Sequence, residues 1–135
     1  MAHVIRPFST HRATAIVAAP KVYGFDTGFV SYYRGWQELR QEDMGVRWEH
    51  FVLNEIMGHQ QTREISYWRD KAGHEVDFVL AGRRNKPLAV ECKWSASDFD
   101  ASNLKVSVNT IRMARTWWWL RMWTELSTGS LERLR

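Results

Sequence analysis

The sequence predicts an α/β domain, and three observations carry that reading. Val46 to Met57 places Val46, Phe51 with Trp48, Val52, Leu53 and Ile56 at helical spacing, and Gly58 reads as the stop. Three strand-like segments follow: Glu64–Arg69, His74–Leu80 and Pro87–Trp94, each rich in β-branched and apolar residues. The segments Lys71-Ala72-Gly73 and Gly82–Pro87 between them read as turns, so the strands should pair antiparallel. A chain of 135 residues with 44% hydrophobic side chains can bury a modest core, and general disorder is excluded.

The other elements give weaker signals. Residues 1–20 form a lead-in in which Ala13 to Ala19 could be a short strand or helix before Pro20. Lys21 to Asp26 reads as a strand and Thr27-Gly28 as a turn. Phe29 to Glu42 is mixed, with helical content expected around Trp36 to Arg40. After Trp94, the polar stretch Ser95–Ser102 reads as a loop leading to a helix near Asn103. No internal repeat and no Walker-type Gly-rich phosphate loop occurs.

The chemistry concentrates on the last two strands. Alternate side chains of a strand share a face, so Glu91 and Lys93 point the same way. Asp77 can occupy that face of the neighbouring strand. Charges gathered on a mostly apolar sheet are costly unless they pair or hold a metal ion. A buried ion-pair network satisfies that demand. So does a magnesium-dependent phosphodiesterase site, in which acids hold the cation and lysine stabilises the attacking water or the developing negative charge. Glu49, taken alone, reads as a helix-surface carboxylate.

The formal charge of +4 and a pI near 9.5 permit nucleic-acid binding. Arg83, Arg84 and Lys86 form the densest basic cluster, and a solvated hairpin tip explains it as well as a phosphate contact does. With Arg69 they are the candidate nucleic-acid contacts. Cys92 is the single cysteine, which excludes an intramolecular disulfide; it reads as a buried structural thiol. His50 and His74 read as surface residues or neighbours of the site, and His3, His11 and His59 are too dispersed for zinc. Trp68 and Trp94 read as core or rim packing, with stacking on an unpaired base as the alternative. No membrane span or signal peptide is evident, so a cytoplasmic location with no membrane partner is expected.

Asp77, a spacer, then Glu91-Cys92-Lys93 resembles the pattern of the PD-(D/E)XK nuclease-like superfamily. Further segments resemble a bacterial and archaeal domain of unknown function that follows AAA-type ATPase modules. These are Lys21-Val22-Tyr23-Gly24-Phe25-Asp26-Thr27-Gly28, the helix Gly45 to Glu55, and Tyr67-Trp68-Arg69 with Gly73 to Val79. The resemblance runs in order from Lys21 to Val106. It implies a nuclease-like domain over 21–106 with a restriction-endonuclease-like core: helix, three antiparallel strands, helix, strand. It assigns Glu49 as the first-helix acid beside Asp77, Glu91 and Lys93. The function implied is a metal-dependent nuclease-like domain acting on DNA or RNA. Mg²⁺ or Mn²⁺ would then bind Asp77, Glu91 and the carbonyl of Cys92. A non-catalytic accessory domain, binding nucleic acid or a partner protein for an ATPase, is the other reading.

Residues 107–135 depart from this pattern. Four of the eight tryptophans fall in Trp117-Trp118-Trp119 and Trp123. Shifting the codon grouping by one base turns Thr116–Glu125 into a Leu-Val-Val-Ala strand, so the tail reads as translated out of frame. The last core strand is therefore expected to be missing or altered, with no regular strand at Trp117 to Leu120. A tryptophan-bearing helix should instead cover the gap or join an oligomer.

Overall fold

The computed structural model describes residues 2–8, 19–59, 64–81, 87–98, 100, 102, 105–107 and the backbone of 115–120. Among these, six strands form one mixed sheet, and two α-helices precede its central strands. The strands are β1 (Ala2–Pro7), β2 (Lys21–Gly24), β3 (Glu64–Arg69), β4 (Glu75–Ala81), β5 (Leu88–Lys93) and β6 (Arg115–Leu120). The helices are α1 (Thr27–Tyr33) and α2 (Gln41–His59). The sheet order is β2-β1-β3-β4-β5-β6. β3, β4 and β5 pair antiparallel, as expected from the turns between them. β1 runs antiparallel to β2 and parallel to β3, and β6 runs parallel to β5.

β4 is central, and Val76 to Leu80 are all buried. A strand covered on both faces needs such a continuous apolar run, interrupted here only by Asp77. Val52, Leu53 and Ile56 of α2 pack against Phe78, Leu80, Val90 and Cys92, together with Ile5, Tyr23 and Tyr67. The opposite face holds a smaller cluster of Trp68, Val76, Val79 and Ala89, joined by Phe8 and Val106. Asp26 starts α1 by accepting a hydrogen bond from the Phe29 N–H at 2.7 Å, which satisfies one of the helix's open donors. Gly24 lets α1 approach β2, because a Cβ there would stand 2.6 Å from Val30 Cγ2.

Several sequence expectations are corrected. The strand at Lys21 ends at Gly24, and Thr27-Gly28 is the first turn of α1 rather than a β-turn. The Asp26 cap decides this, since it supplies the acceptor a helix start requires. Trp36 to Arg40 is not helical. α2 begins at Gln41 and runs through Gly58 to His59, whose ring lies 3.6 Å from Glu55 one turn back. β1 arises in the weakly patterned lead-in.

The largest correction concerns the tail. Arg115–Leu120 is a strand in parallel register with β5, from Leu88↔Arg115 to Lys93↔Leu120. The expectation of no strand at Trp117 to Leu120 is overturned. Pairing is a backbone property. The open edge of β5 needs hydrogen-bond partners, and tryptophan favours extended backbone. The segment from Trp94 to Ala114 also exceeds the dozen or so residues that a parallel connection needs.

Residues 13–18, 82–86, 103–104 and 121–135, on which other expectations fell, lie outside the described residues. No helix among the described residues is long and apolar enough to cross a membrane.

Candidate active site

A bulge in β4 sets the position of Asp77. Ser66 pairs with Val79 and Trp68 with Val76, so Asp77 and Phe78 together oppose the single residue Tyr67. The extra residue breaks the alternation of β4. Val76 and Phe78, two apart, consequently belong to opposite apolar clusters. Bulges of this kind re-aim side chains. Here the Asp77 carboxylate turns to the backbone of β5, where its Oδ2 accepts a hydrogen bond from the Cys92 N–H at 2.7 Å. Burial raises the Asp77 carboxyl, against that hydrogen bond and the charges of Lys21 and Lys93.

Glu91 is 2% exposed. Its Oε1 meets Lys93 Nζ at 2.7 Å, as the shared strand face requires. Its Oε2 is buried with no hydrogen-bond partner in the structure. Burial first, then the charge of Asp77, pushes Glu91 up to about 6, against Lys93 and a hydrogen bond from the Asp77 backbone to the carboxyl, which pull it down. Burial opposes the Lys93 ammonium. The hydrogen bond and charge of Glu91, with Asp77 and Glu49 behind, more than offset this and hold Lys93 above its ordinary value. Lys93 is therefore a cation throughout the neutral range.

Glu49 enters from α2. Its Oε2 accepts from the Tyr23 hydroxyl at 3.2 Å. Burial and the Asp77 charge push Glu49 up to about 7, against Lys21 and the Tyr23 hydroxyl, which pull it down. Tyr23 is raised by burial and by Glu49 and Asp77, so its phenol stays protonated. A second network borders this one: Lys21 and Arg69 both pair with Glu75. Burial would raise Glu75, but Lys21 and Arg69 bring it below its ordinary value.

The structure thus groups Glu49, Asp77, Glu91 and Lys93 into one electrostatically linked site. Glu49 is not the free surface carboxylate that its helix position alone implied. Arg69 is half-exposed and engaged with Glu75, while Arg83, Arg84 and Lys86 lie outside the described residues. The Cys92 thiol is buried and pushed well up by burial and by the carboxylates around it, as a structural thiol should be. His50, expected as a surface residue or a neighbour of the site, is buried next to Tyr23, the partner of Glu49. Its Nδ1 lies 2.9 Å from the Val46 carbonyl, and its ring meets Tyr23 edge-on. His74 pairs with Asp70.

Sequence reasoning gave no role to Tyr23, Lys21 or Glu75. The available signal was their spacing. Lys21 and Tyr23 are two apart on β2 and so share a face of that strand.

Among the described residues, no three His, Cys, Asp or Glu side chains converge closely enough to hold a metal ion by themselves. A divalent ion here would draw on fewer side chains, completed by a backbone carbonyl and water. Magnesium, which keeps several of its waters, accepts such a ligand set. The unpartnered Glu91 oxygen beside Asp77 fits that donor set.

No solved structure gives a significant match to the chain. Uncharacterized protein Rv2008c of Mycobacterium tuberculosis is 26% identical over 103 residues, covering 72% of this chain and 23% of the relative. Uncharacterized protein Mb2031c of Mycobacterium bovis matches with the same identity and coverage. The chain therefore spans under a quarter of the length of these relatives. The domain of unknown function DUF4143 matches residues 44–113, more than half of the chain, from within α2 to the residues before β6. The chain belongs to the DUF4143 family.

Proposed function

We propose that this chain is a metal-dependent nuclease-like domain of the PD-(D/E)XK type, acting on the phosphodiester backbone of nucleic acid. The observation that carries the reading is the buried, unpartnered Oε2 of Glu91 beside Asp77, with Lys93 paired to the other oxygen. A buried carboxylate oxygen without a partner is costly, and a cation is the partner that repays it best. The order of α2, antiparallel β3 to β5 and a sixth strand parallel to β5 supports the reading.

Asp77, Glu91 and the Cys92 carbonyl would hold Mg²⁺ or Mn²⁺. The ion would polarise the phosphate and offset charge building on it. The chain's own groups do the rest. The Cys92 N–H fixes the Asp77 carboxylate. Lys93, cationic at neutral pH, donates to the attacking water and opposes negative charge on the phosphoryl oxygens. Glu49, near half-ionised at pH 7, can accept the proton that water gives up. The ATPase module that the resemblance associates with such domains is the proposed partner.

The test is cleavage of plasmid DNA, single-stranded DNA and RNA with Mg²⁺ or Mn²⁺, beside the Asp77→Asn chain. Metal-dependent cleavage lost in the variant supports the reading. Absence of cleavage by well-folded protein on both DNA and RNA would sink it.

A further inference from the structure

A cleft of about 220 Å³ is lined by Thr27, Met44, Arg47, Trp48, Phe51 and Trp94. Its walls are aromatic. Trp48 and Phe51 lie nearly parallel, 19° apart with centroids at 5.2 Å, and Trp94 meets Trp48 edge-on at 5.9 Å. Phe51 is 40% exposed, so its ring can be reached from solvent. Two walls are tied in sequence to the charged site, because Trp48 precedes Glu49 on α2 and Trp94 follows Lys93 at the end of β5. The cleft is smaller than the 300 Å³ or so at which pockets for drug-sized ligands begin. One flat ring suits it better than a whole nucleotide.

We infer that this cleft takes one unstacked base of a single-stranded nucleic acid, with Arg47 at its rim meeting the adjoining phosphate. Every base presents a π-face, so stacking on aromatic side chains holds a strand without reading its sequence. A base inside a duplex is already stacked on its neighbours and would have to leave the helix to enter. The inference deepens the proposed nuclease reading by naming its substrate form, and rests on it for the presence of nucleic acid. Binding itself requires no metal, so the two can fail separately.

The experiment is fluorescence anisotropy with a labelled oligothymidylate and the full chain, in EDTA and low salt. An oligomer of abasic sites of equal length and a duplex serve as comparisons. Both should bind roughly ten-fold more weakly than oligothymidylate, because phosphates remain but the accessible π-face does not. Phe51→Ala removes an exposed ring at little risk to the fold and should weaken oligothymidylate binding several-fold. Trp94→Phe keeps a ring and should retain most of it. Equal affinity for abasic and thymidylate probes, or tighter binding of duplex, overturns the inference. So does an unchanged affinity of Phe51→Ala. Selective binding of oligothymidylate with no cleavage in Mg²⁺ leaves the cleft standing and sinks only the nuclease reading. Cleavage by a chain that fails these binding comparisons does the reverse.

Discussion

Replacing Glu49 by glutamine should make the protein more stable at pH 8 while leaving its stability at pH 4.5 nearly unchanged. Folding raises this carboxyl from 4.5 to about 7, first through burial and then through Asp77. The folded chain therefore holds the proton more tightly than the unfolded chain. Stability from that proton is complete below pH 4.5 and is lost as pH rises through about 7. At about 1.36 kcal/mol per pH unit, the loss from Glu49 is roughly 3 kcal/mol. Glutamine keeps a polar partner for the Tyr23 hydroxyl but carries no charge, so it escapes the loss. His50 works in the opposite sense, because burial lowers it and its neutral form must protonate on unfolding at acid pH. It is common to both proteins and cancels in the difference. Urea unfolding at pH 4.5, 6, 7 and 8 gives the comparison. A 3 kcal/mol gain is on the order of 1 M or more in midpoint, given a slope of about 1–3 kcal/mol/M for small proteins. A stability difference that is flat across this range would refute the raised carboxyl and the closeness of Glu49 to Asp77 from which it follows.

Lys93→Ala should abolish cleavage, with at least a hundred-fold loss of rate and an unchanged circular dichroism spectrum; full activity in the variant would remove Lys93 from the chemistry. Gly24→Ala should lower stability by about 1–3 kcal/mol, because the new Cβ would stand 2.6 Å from Val30 Cγ2 and force α1 away from β2. A thermal melt within error of wild type would show that α1 does not press on β2. Asp26→Ala should cost about 1 kcal/mol through loss of the bond to Phe29 N–H, read by the same melt; no change would mean that the cap bond adds nothing in solution.

The sequence was most legible where periodicity was strong. Glu64–Arg69 alternates clearly and is β3 from end to end. β4 and β5 lie within a residue or two of their expected limits. The short elements left no such pattern. α1 is seven residues long, too short to display a helical stripe, and its true marker is the Asp26 side chain three residues before the amide it caps. β1 carries His3 and Arg6 among its apolar residues, and it is a strand because β2 and β3 flank it.

Asp77, Glu91 and Lys93 were legible as a site, but how Asp77 reaches β5 was not. The bulge exists only relative to Tyr67 on the facing strand, so β4 alone cannot reveal it. Glu49 was legible through the resemblance and not through its helix position, because its hydrogen-bond partner, the Tyr23 hydroxyl, comes from a distant strand. The strand at Trp117 to Leu120 was missed because side-chain volume was used to decide a question of backbone pairing.

Calorimetric titration of the full chain with Mn²⁺ at pH 6.5, in two buffers of different ionisation heat, tests the central claim most directly. Saturable binding with release of protons is expected, because Glu91 near 6 and Glu49 near 7 both hold protons that a cation displaces. The binding should vanish in Asp77→Ala. No binding by well-folded wild type, or unaltered binding in Asp77→Ala, would contradict the claim that this sheet positions a metal site.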